Sequence, residues 1–287
     1  FRAGLLHTDM EYLRRHWSGK KSSAPVLEKR HQKYYLRFSY TEEVTLSKTP
    51  VKDQLICSVD LGINTDAVCS IMRSDGTVLD RKFINFPSEK DRLSHVLGRI
   101  RRFQKEHSSK QIGSRWAYAK RLNTELARKT ARSIAEYAHE NHADVIVFEY
   151  LEMKGKISGK KQQKLHLWKK REIQTMCEHK AHRYGIRVSR VCTWNTSRLA
   201  YDGSGPVSRD PKNHSLCVFR SGKQYNCDLS ASYNIGARYW IREIIKTLPE
   251  TERSSLEAKV PAVKRRTSCV YADLLIIQNE YGCSKAA

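Results

Sequence analysis

Three carboxylates stand where the surrounding pattern calls for apolar side chains. Asp60 lies inside the run Leu55-Ile-Cys-Ser-Val-Asp-Leu61, and Glu149 inside Val145-Ile-Val-Phe-Glu-Tyr150. A charge in a protein interior costs several kcal/mol unless it is paired or binds a metal. Either acid alone could be an ordinary strand-end residue turned to solvent, but two at equivalent places in two central strands weigh against that. The third is Asp228, directly ahead of Leu229-Ser-Ala-Ser-Tyr-Asn-Ile235, where an Asp commonly caps a helix N-terminus. Together the three suggest one chemistry. Carboxylates converging at one end of a sheet repel when empty, and hard divalent cations, Mg²⁺ or Mn²⁺, relieve that repulsion and prefer oxygen ligands. Two such ions ~3.5–4 Å apart can activate a water and stabilise the leaving 3′-oxygen of a phosphodiester.

Such a site needs a sheet and a helix to build it, and the periodicity supplies both. Residues 55–61 and 67–72 predict two strands, Asp75-Gly76 a hairpin turn, and 77–84 a third strand, an antiparallel meander. Helical spacing covers 89–106 and 115–141, with Ser114 as the expected N-cap of the second helix. Residues 144–150 predict a strand apolar on both faces, as in a sheet covered by helices. A helix over 162–184 stopping at Gly185, a strand over 186–192 and a helix over 228–247 follow. Residues 195–226 are rich in Gly, Ser, Asn, Asp and Pro with little periodicity. Residues 249–266 predict a polar linker, and 270–280 a last helix. Upstream, a short helix is expected around 10–17. Tyr34, Leu36, Phe38 and Tyr40 alternate as in a half-buried strand, and 41–53 predict a linker. A meander followed by alternating helix and strand is the element order of an α/β, RNase H-like mixed sheet with flanking helices.

The charge balance points to a polyanionic partner. Lys and Arg number 53 against 30 Asp and Glu, a formal net charge of +23 in 287 residues, and self-repulsion of that size needs a reason. Nucleic acid is the first candidate. An anionic membrane is the second, yet no apolar stretch approaches the ~20 residues of a spanning helix. The eight cysteines are scattered with no C-x-x-C pair, which argues against a disulfide framework and fits a reducing cytosol. Phe1 in place of Met suggests the later part of a longer protein.

The motifs around the acids resemble those of a known family. Ser58-Val-Asp-Leu-Gly-Ile-Asn64 resembles the first RuvC motif of the TnpB and type V CRISPR RNA-guided nucleases, Val145–Leu151 the second, and Asp228–Ile235 the third. Gly113-Ser114 before a long basic helix, Trp168, Lys180-Ala181 and Gly185 match in order. The resemblance covers roughly 55–247. It implies a RuvC fold and RNA-guided, metal-dependent DNA cleavage, with Asp60, Glu149 and Asp228 as the ligands of two Mg²⁺ or Mn²⁺ ions. The partners it implies are guide RNA, target DNA and an N-terminal recognition lobe of the same protein. Residues 1–53 then end a wedge-type β-barrel RNA-binding domain and its linker, 54–193 form the first RuvC part, 194–227 an insert, and 228–287 the second RuvC part with a tail.

In that family the insert is a zinc ribbon of two C-x-x-C pairs after Thr-Ser. Here Thr196-Ser197 is kept, the first pair falls on Ala200 and Gly203, and Cys217 is followed by Arg220 where its partner is expected. A tetrahedral site needs four ligands. Cys192, His214, Cys217 and Cys227 could in principle supply them, since His214-x-x-Cys217 has ligand spacing; because Ala200 and Gly203 replace expected ligands, no zinc is expected and these cysteines become small buried hydrophobes. Arg209 falls where the family often places an arginine near the scissile phosphate.

Two basic stretches complete the reading. Residues 99–132 hold eleven Lys or Arg against Glu106 and Glu125 alone; Arg101, Arg102, Lys105, Lys120, Arg121, Arg128, Lys129 and Arg132 recur on helical faces, an expected phosphate-backbone surface. Residues 153–172 hold eight basic residues and one acid, with Lys160 and Lys161 as nucleic-acid contacts, in a segment that the resemblance implies can act as a lid and that could equally be a plain surface loop. The competing readings are a guided DNA binder that does not cut, a guide-independent RNase H-like resolvase or transposase, and a basic RNA-packaging protein.

Overall fold

The computed structural model describes residues 4, 6–30, 32–106, 112–150, 169–210, 213, 215–265 and 268–282. The chain divides into two compact units, 1–45 and 46–287.

In the first unit, α1 (His7–Trp17) precedes two short antiparallel ladders. One pairs β1 (Lys21–Ser22) with β4 (Tyr40–Thr41); the other pairs β2 (Val26–Arg30) with β3 (Lys33–Arg37). Among the described residues these ladders do not close into a barrel. The expected strand through Tyr40 stops at Arg37. Leu36, Phe38 and Tyr40 keep their alternate partial burial, Tyr34 is exposed, and Tyr40 stacks on Trp17 at 4.8 Å.

The second unit is built on one five-stranded mixed sheet. Its strands are β5 (Leu55–Asp60), β6 (Ala67–Arg73), β7 (Val78–Ile84), β8 (Val145–Tyr150) and β9 (Arg187–Cys192), in spatial order β7-β6-β5-β8-β9. The first three form the expected antiparallel meander; β5–β8 and β8–β9 are parallel. Gly76 turns the hairpin at φ +90, which a side chain would resist.

Helices cover both faces. On one lie α2 (Pro87–Lys105), α3 (Ile112–Glu140) and α4 (Lys170–Arg183). Ala127, Ile134 and Ala138 of α3, with Ile173 and Cys177 of α4, pack on Cys57, Val59, Ile146 and Phe148. Ser114 sits inside the first turn of α3 rather than capping it. The other face carries a three-stranded insert, β10 (Ser208–Arg209), β11 (Leu216–Val218) and β12 (Gln224–Asn226), then α5 (Cys227–Thr247). Ile235, Trp240 and Ile241 of α5 cover Ile56, Met72, Val145 and Val147. The expected linker over 249–266 holds a further helix, α6 (Glu250–Lys259), because Leu256, Val260 and Val263 anchor it to this core. Last comes α7 (Tyr271–Ile277). Among the described residues, no helix is long and apolar enough to cross a membrane.

Candidate active site

Strand periodicity and helix periodicity bring the three acids to one face. Ile56 and Val145 are paired across β5 and β8, as are Ser58 and Val147. The next inward-facing pair in that register is Asp60 and Glu149, at the C-terminal ends of both strands. On α5, positions 228, 232 and 236 form an i, i+4, i+8 stripe against these strands. Ser232 shares a hydrogen bond with Ser70 of β6 at 2.7 Å. Gly236 lies so close that a methyl group there would come within 2.4 Å of the Met72 sulfur and 3.2 Å of Ser58 Oγ. A stripe pressed this tightly onto the sheet carries Asp228 to the level of Asp60. Capping is done by Asn226, whose Oδ1 accepts from the Leu229 amide at 2.9 Å; Asp228, one residue inside the helix, is released from that role.

The electrostatics agree with this placement. Burial drives the Asp60 carboxyl well above the usual carboxylate range, and the charges of Glu149 and Asp228 push it further in the same direction. Arg209 and Lys170 pull the other way. Burial also raises Glu149, against a hydrogen bond from Thr196 and the charges of Lys170 and Arg238. Asp228 is raised by burial and lowered by Arg209. Lys170, in the first turn of α4, has its own pKa lowered by burial and raised by Glu149 and Asp60. Arg209 is exposed, and its Nη2 donates to the Ser197 carbonyl at 3.3 Å.

A second layer holds the acids in place. The Thr196 hydroxyl donates to the Glu149 carboxylate. Gln174 Nε2 donates to the Glu149 carbonyl at 2.9 Å. Buried Asn234 donates to the carbonyls of Thr196 and Leu199, both at 2.9 Å, and accepts from the Tyr271 amide at 3.0 Å. Arg238 Nη1 donates to the carbonyls of Cys192 and Trp194, fixing the turn that presents Thr196. Lys170, Gln174 and Arg238 escaped the sequence reading. A basic side chain at an otherwise apolar helix position, as at Arg238, is the signal that could have found it.

The donor set is three carboxylates, whose hard oxygens suit Mg²⁺ or Mn²⁺. Among the described residues, no group of three or more His, Cys, Asp and Glu side chains is arranged to hold a metal ion as it stands.

At the insert the residues do not fit zinc. Ala200 is buried and contributes no ligand, and Gly203 turns the chain at φ +79. Where the second pair would end, Arg220 packs alongside Gly205. Buried Cys217 donates to the Tyr225 carbonyl, and burial together with a bond to Cys227 pushes its thiol up to about 12. The space is filled by Ala200, Cys217, Phe219 and Cys227, with Tyr201 at the hub of ring contacts to Phe219, Tyr225, Tyr233 and Tyr271. His214 lies outside the described residues.

With the site in view, residues 171–235 match the Cas12f1-like TNB domain family. The TnpB-like protein aq_aa05 of Aquifex aeolicus is 26% identical over 247 residues, covering 78% of this chain and 79% of that protein. The chain is similar to the TnpB-like proteins over most of its length. A second relative, the TnpB-like protein ORF457 of Acidianus two-tailed virus, is 28% identical over 204 residues, 64% of this chain and 42% of that protein. Among solved structures, a Cas12f1–sgRNA–target DNA complex superposes with a TM-score of 0.49 at 21% identity, covering 73% of this chain and 54% of that one. A CRISPR–Cas12f ternary complex gives 0.49 at 19%, covering 79% and 48%. The TNB match runs from α4 through the insert into α5, and so includes Thr196, Arg209 and Asp228.

The basic residues fare unevenly. Arg101, Arg102, Lys105, Lys120 and Arg121 are exposed on α2 and α3. Arg128 pairs with Glu125 at 3.6 Å, Lys129 with Glu89 and Arg132 with Glu136 at 2.8 Å. Lys160, Lys161 and most of the expected lid lie outside the described residues.

Proposed function

We propose that this chain is the nuclease portion of an RNA-guided DNA endonuclease, with a RuvC, RNase H-like fold that hydrolyses DNA phosphodiesters at Asp60, Glu149 and Asp228. One observation carries the reading. Asp60 is 9% exposed, and both of its acidic neighbours raise its pKa rather than offset it. A fold serving only stability would replace such a residue with an apolar one. The strand order, an antiparallel meander joined to two parallel strands, and the resemblance to TnpB-like proteins support the fold. The four-part division of the chain at 53, 193 and 227 belongs to the same proposal, as do guide RNA, target DNA and a recognition lobe as partners.

In this reading the three carboxylates hold two Mg²⁺ or Mn²⁺ ions, which when bound supply Lewis-acid stabilisation of the attacking and leaving oxygens. The chain's own residues do the rest. Thr196 keeps Glu149 oriented and favours its charged form. Arg209, exposed and lowering the pKa of both Asp60 and Asp228 by its charge, offers a guanidinium to the scissile phosphate. Lys170 offsets the buried negative charge of Asp60 and Glu149, and Arg238 that of Glu149.

A second reading has specific support: a guided DNA binder that does not cut. Ala200 and Gly203 stand where the family resemblance expects metal ligands, and among the described residues no group of three or more His, Cys, Asp and Glu side chains is arranged to hold a metal ion. Incubation with Mg²⁺ and a guide-matched DNA separates the two. Cleavage by the parent, lost in Asp60→Ala with binding kept, supports the nuclease; binding without cleavage by the parent supports the binder. Ca²⁺ should sustain binding without cutting.

A further inference from the structure

Beyond β9 the chain makes a tight turn, Thr193–Thr196, whose backbone is held throughout. The Thr196 amide donates to the Thr193 carbonyl at 3.4 Å. The Thr196 hydroxyl donates to the same carbonyl at 3.0 Å and to the Glu149 carboxylate. The Thr193 hydroxyl donates to the Tyr150 carbonyl, so both ends of the turn are fastened to the end of β8. Beneath it, Arg238 Nη1 donates to the carbonyls of Cys192 at 2.7 Å and Trp194 at 2.8 Å. The Asn195 carbonyl accepts from the Arg198 and Leu199 amides, both at 3.1 Å. Asn195 itself stands at φ +62, a conformation that a residue other than glycine keeps only where its surroundings dictate it.

This turn presents Trp194 to solvent. The side chain is 67% exposed, the most open of the large aromatic side chains among the described residues. An indole left in water forgoes a large apolar burial, and a slack loop would let it fold back onto the surface. Fixing the ring before its partner arrives removes part of the ordering cost of binding. Its place narrows what that partner is. Trp194 is two residues from Thr196, which bonds to Glu149 directly, so their Cα atoms lie at most ~7 Å apart. The charges of Arg209 and Lys170 act on the same acidic site, in a chain of net charge +23. A polyanion with flat apolar faces satisfies both the ring and the charge, and a nucleic-acid strand is such a molecule.

We propose that Trp194 is a substrate-positioning residue that stacks on one unpaired base of the DNA strand at the acidic site. At ~3.4 Å per nucleotide, that base lies about one or two nucleotides from the phosphate at the acids. The base is an unpaired one because a base inside a duplex has its faces covered by its neighbours. Stacking asks for no particular sequence, since every base has a π-face. The stack keeps the strand from sliding over Asp60, Glu149 and Asp228, so that the scissile phosphate stays in line for attack. The distance from the cut rests on the nuclease reading; the stack itself does not.

The test uses the full chain in complex with guide RNA and matched DNA in Ca²⁺. The probe is 2-aminopurine, a base whose fluorescence is quenched by stacking, placed at successive positions of the DNA. One position within about two nucleotides of the cut should be darker with the parent than with Trp194→Ala. Trp194→Phe should lie between them, and the thermal midpoint should not move. In Mg²⁺, Trp194→Ala should slow cleavage about 5- to 150-fold. An abasic residue at the quenched position should slow the parent to the same extent and the variant no further. The loss should be equal at every pH, whereas a ring that only braced the turn would act through Thr196 and Glu149 and displace the acid limb. Equal fluorescence in parent and Trp194→Ala at every position, or abasic and Ala losses that multiply, overturns the stack. A difference seen with the label in the guide RNA, and not in the DNA, overturns the choice of strand. Failure of the nuclease reading registers separately, as a parent that quenches the label in a Trp194-dependent way and never cuts.

Discussion

The acidic site and the insert met the same problem in opposite ways. Both are places where polar ligands cluster in an interior. At the insert Ala200 and Gly203 offer no ligand, and aromatic packing fills the space: Tyr201 touches four rings, and Ala200 and Phe219 are buried. At the acidic site every carboxylate is kept although each is penalised by burial. Packing can substitute for a structural metal because the metal's task there is cohesion. It cannot substitute where the charge itself is the task. The contrast therefore sorts the two polar clusters by purpose.

The largest effect should come from the acidic side. Asp60→Asn keeps the shape and removes the charge. Cleavage should fall about 10³-fold or more, while strand affinity changes little. Stability should move the other way. All three carboxyls have raised pKa values, so the folded state binds protons more tightly than the unfolded state. In chelator-treated protein their contribution to stability is fully present below the ordinary carboxylate range near pH 4 and is lost as pH climbs through the raised values. Asp60→Asn should flatten that decline in thermal melts. A variant that melts lower than the parent at pH 8 would place Asp60 among the structural residues and erase the contrast.

The insert should respond only to packing. Phe219→Ala should lower stability by about 3–5 kcal/mol, read from denaturant unfolding, whereas a zinc-selective chelator in excess Mg²⁺ should leave the parent's melting curve unchanged. One zinc per chain, lost on Cys217→Ser, would break the comparison from this side. Between the two regions lies the α5 stripe. Gly236→Ala forces a methyl group into the Met72 sulfur, an overpacking of about 1–3 kcal/mol, and should reduce cleavage more than melting because it lifts Asp228 away from Asp60.

The acids stood out in the sequence because a charge inside an apolar strand breaks a pattern that is otherwise kept, whereas the parallel register of β5 and β8 is seen only in the structure. Thr196 was visible as part of Thr-Ser, but its bond to Glu149 was not, since it spans 47 residues. The same limit hid the pairing of the basic faces. Lys129 meets Glu89 across two helices, 40 residues apart, and sequence spacing on one helix says nothing of the other. The helix at 250–259 was missed because three well-spaced anchors, Leu256, Val260 and Val263, hold an otherwise polar segment; tertiary packing supplied what periodicity did not.

Thr196 offers the finest test of the contrast, because it belongs to both regions: it opens the insert and bonds to the acidic site. Thr196→Val keeps the side chain's shape and deletes the donor. If the residue serves only packing, nothing but a small stability change should follow. The hydrogen bond, however, favours ionised Glu149 against burial. Without it the Glu149 pKa rises further, and a larger fraction of the protein is protonated at any pH on the acid limb. Cleavage should drop roughly tenfold there, the effect of about 1.4 kcal/mol from one charge-assisted bond. It should recover as pH rises and Glu149 ionises regardless. A pH–rate profile for parent and variant reads this directly. An acid limb displaced upward, with similar rates at high pH, ties Thr196 to the charge. A loss of equal size at every pH would assign it to the packing of the insert instead.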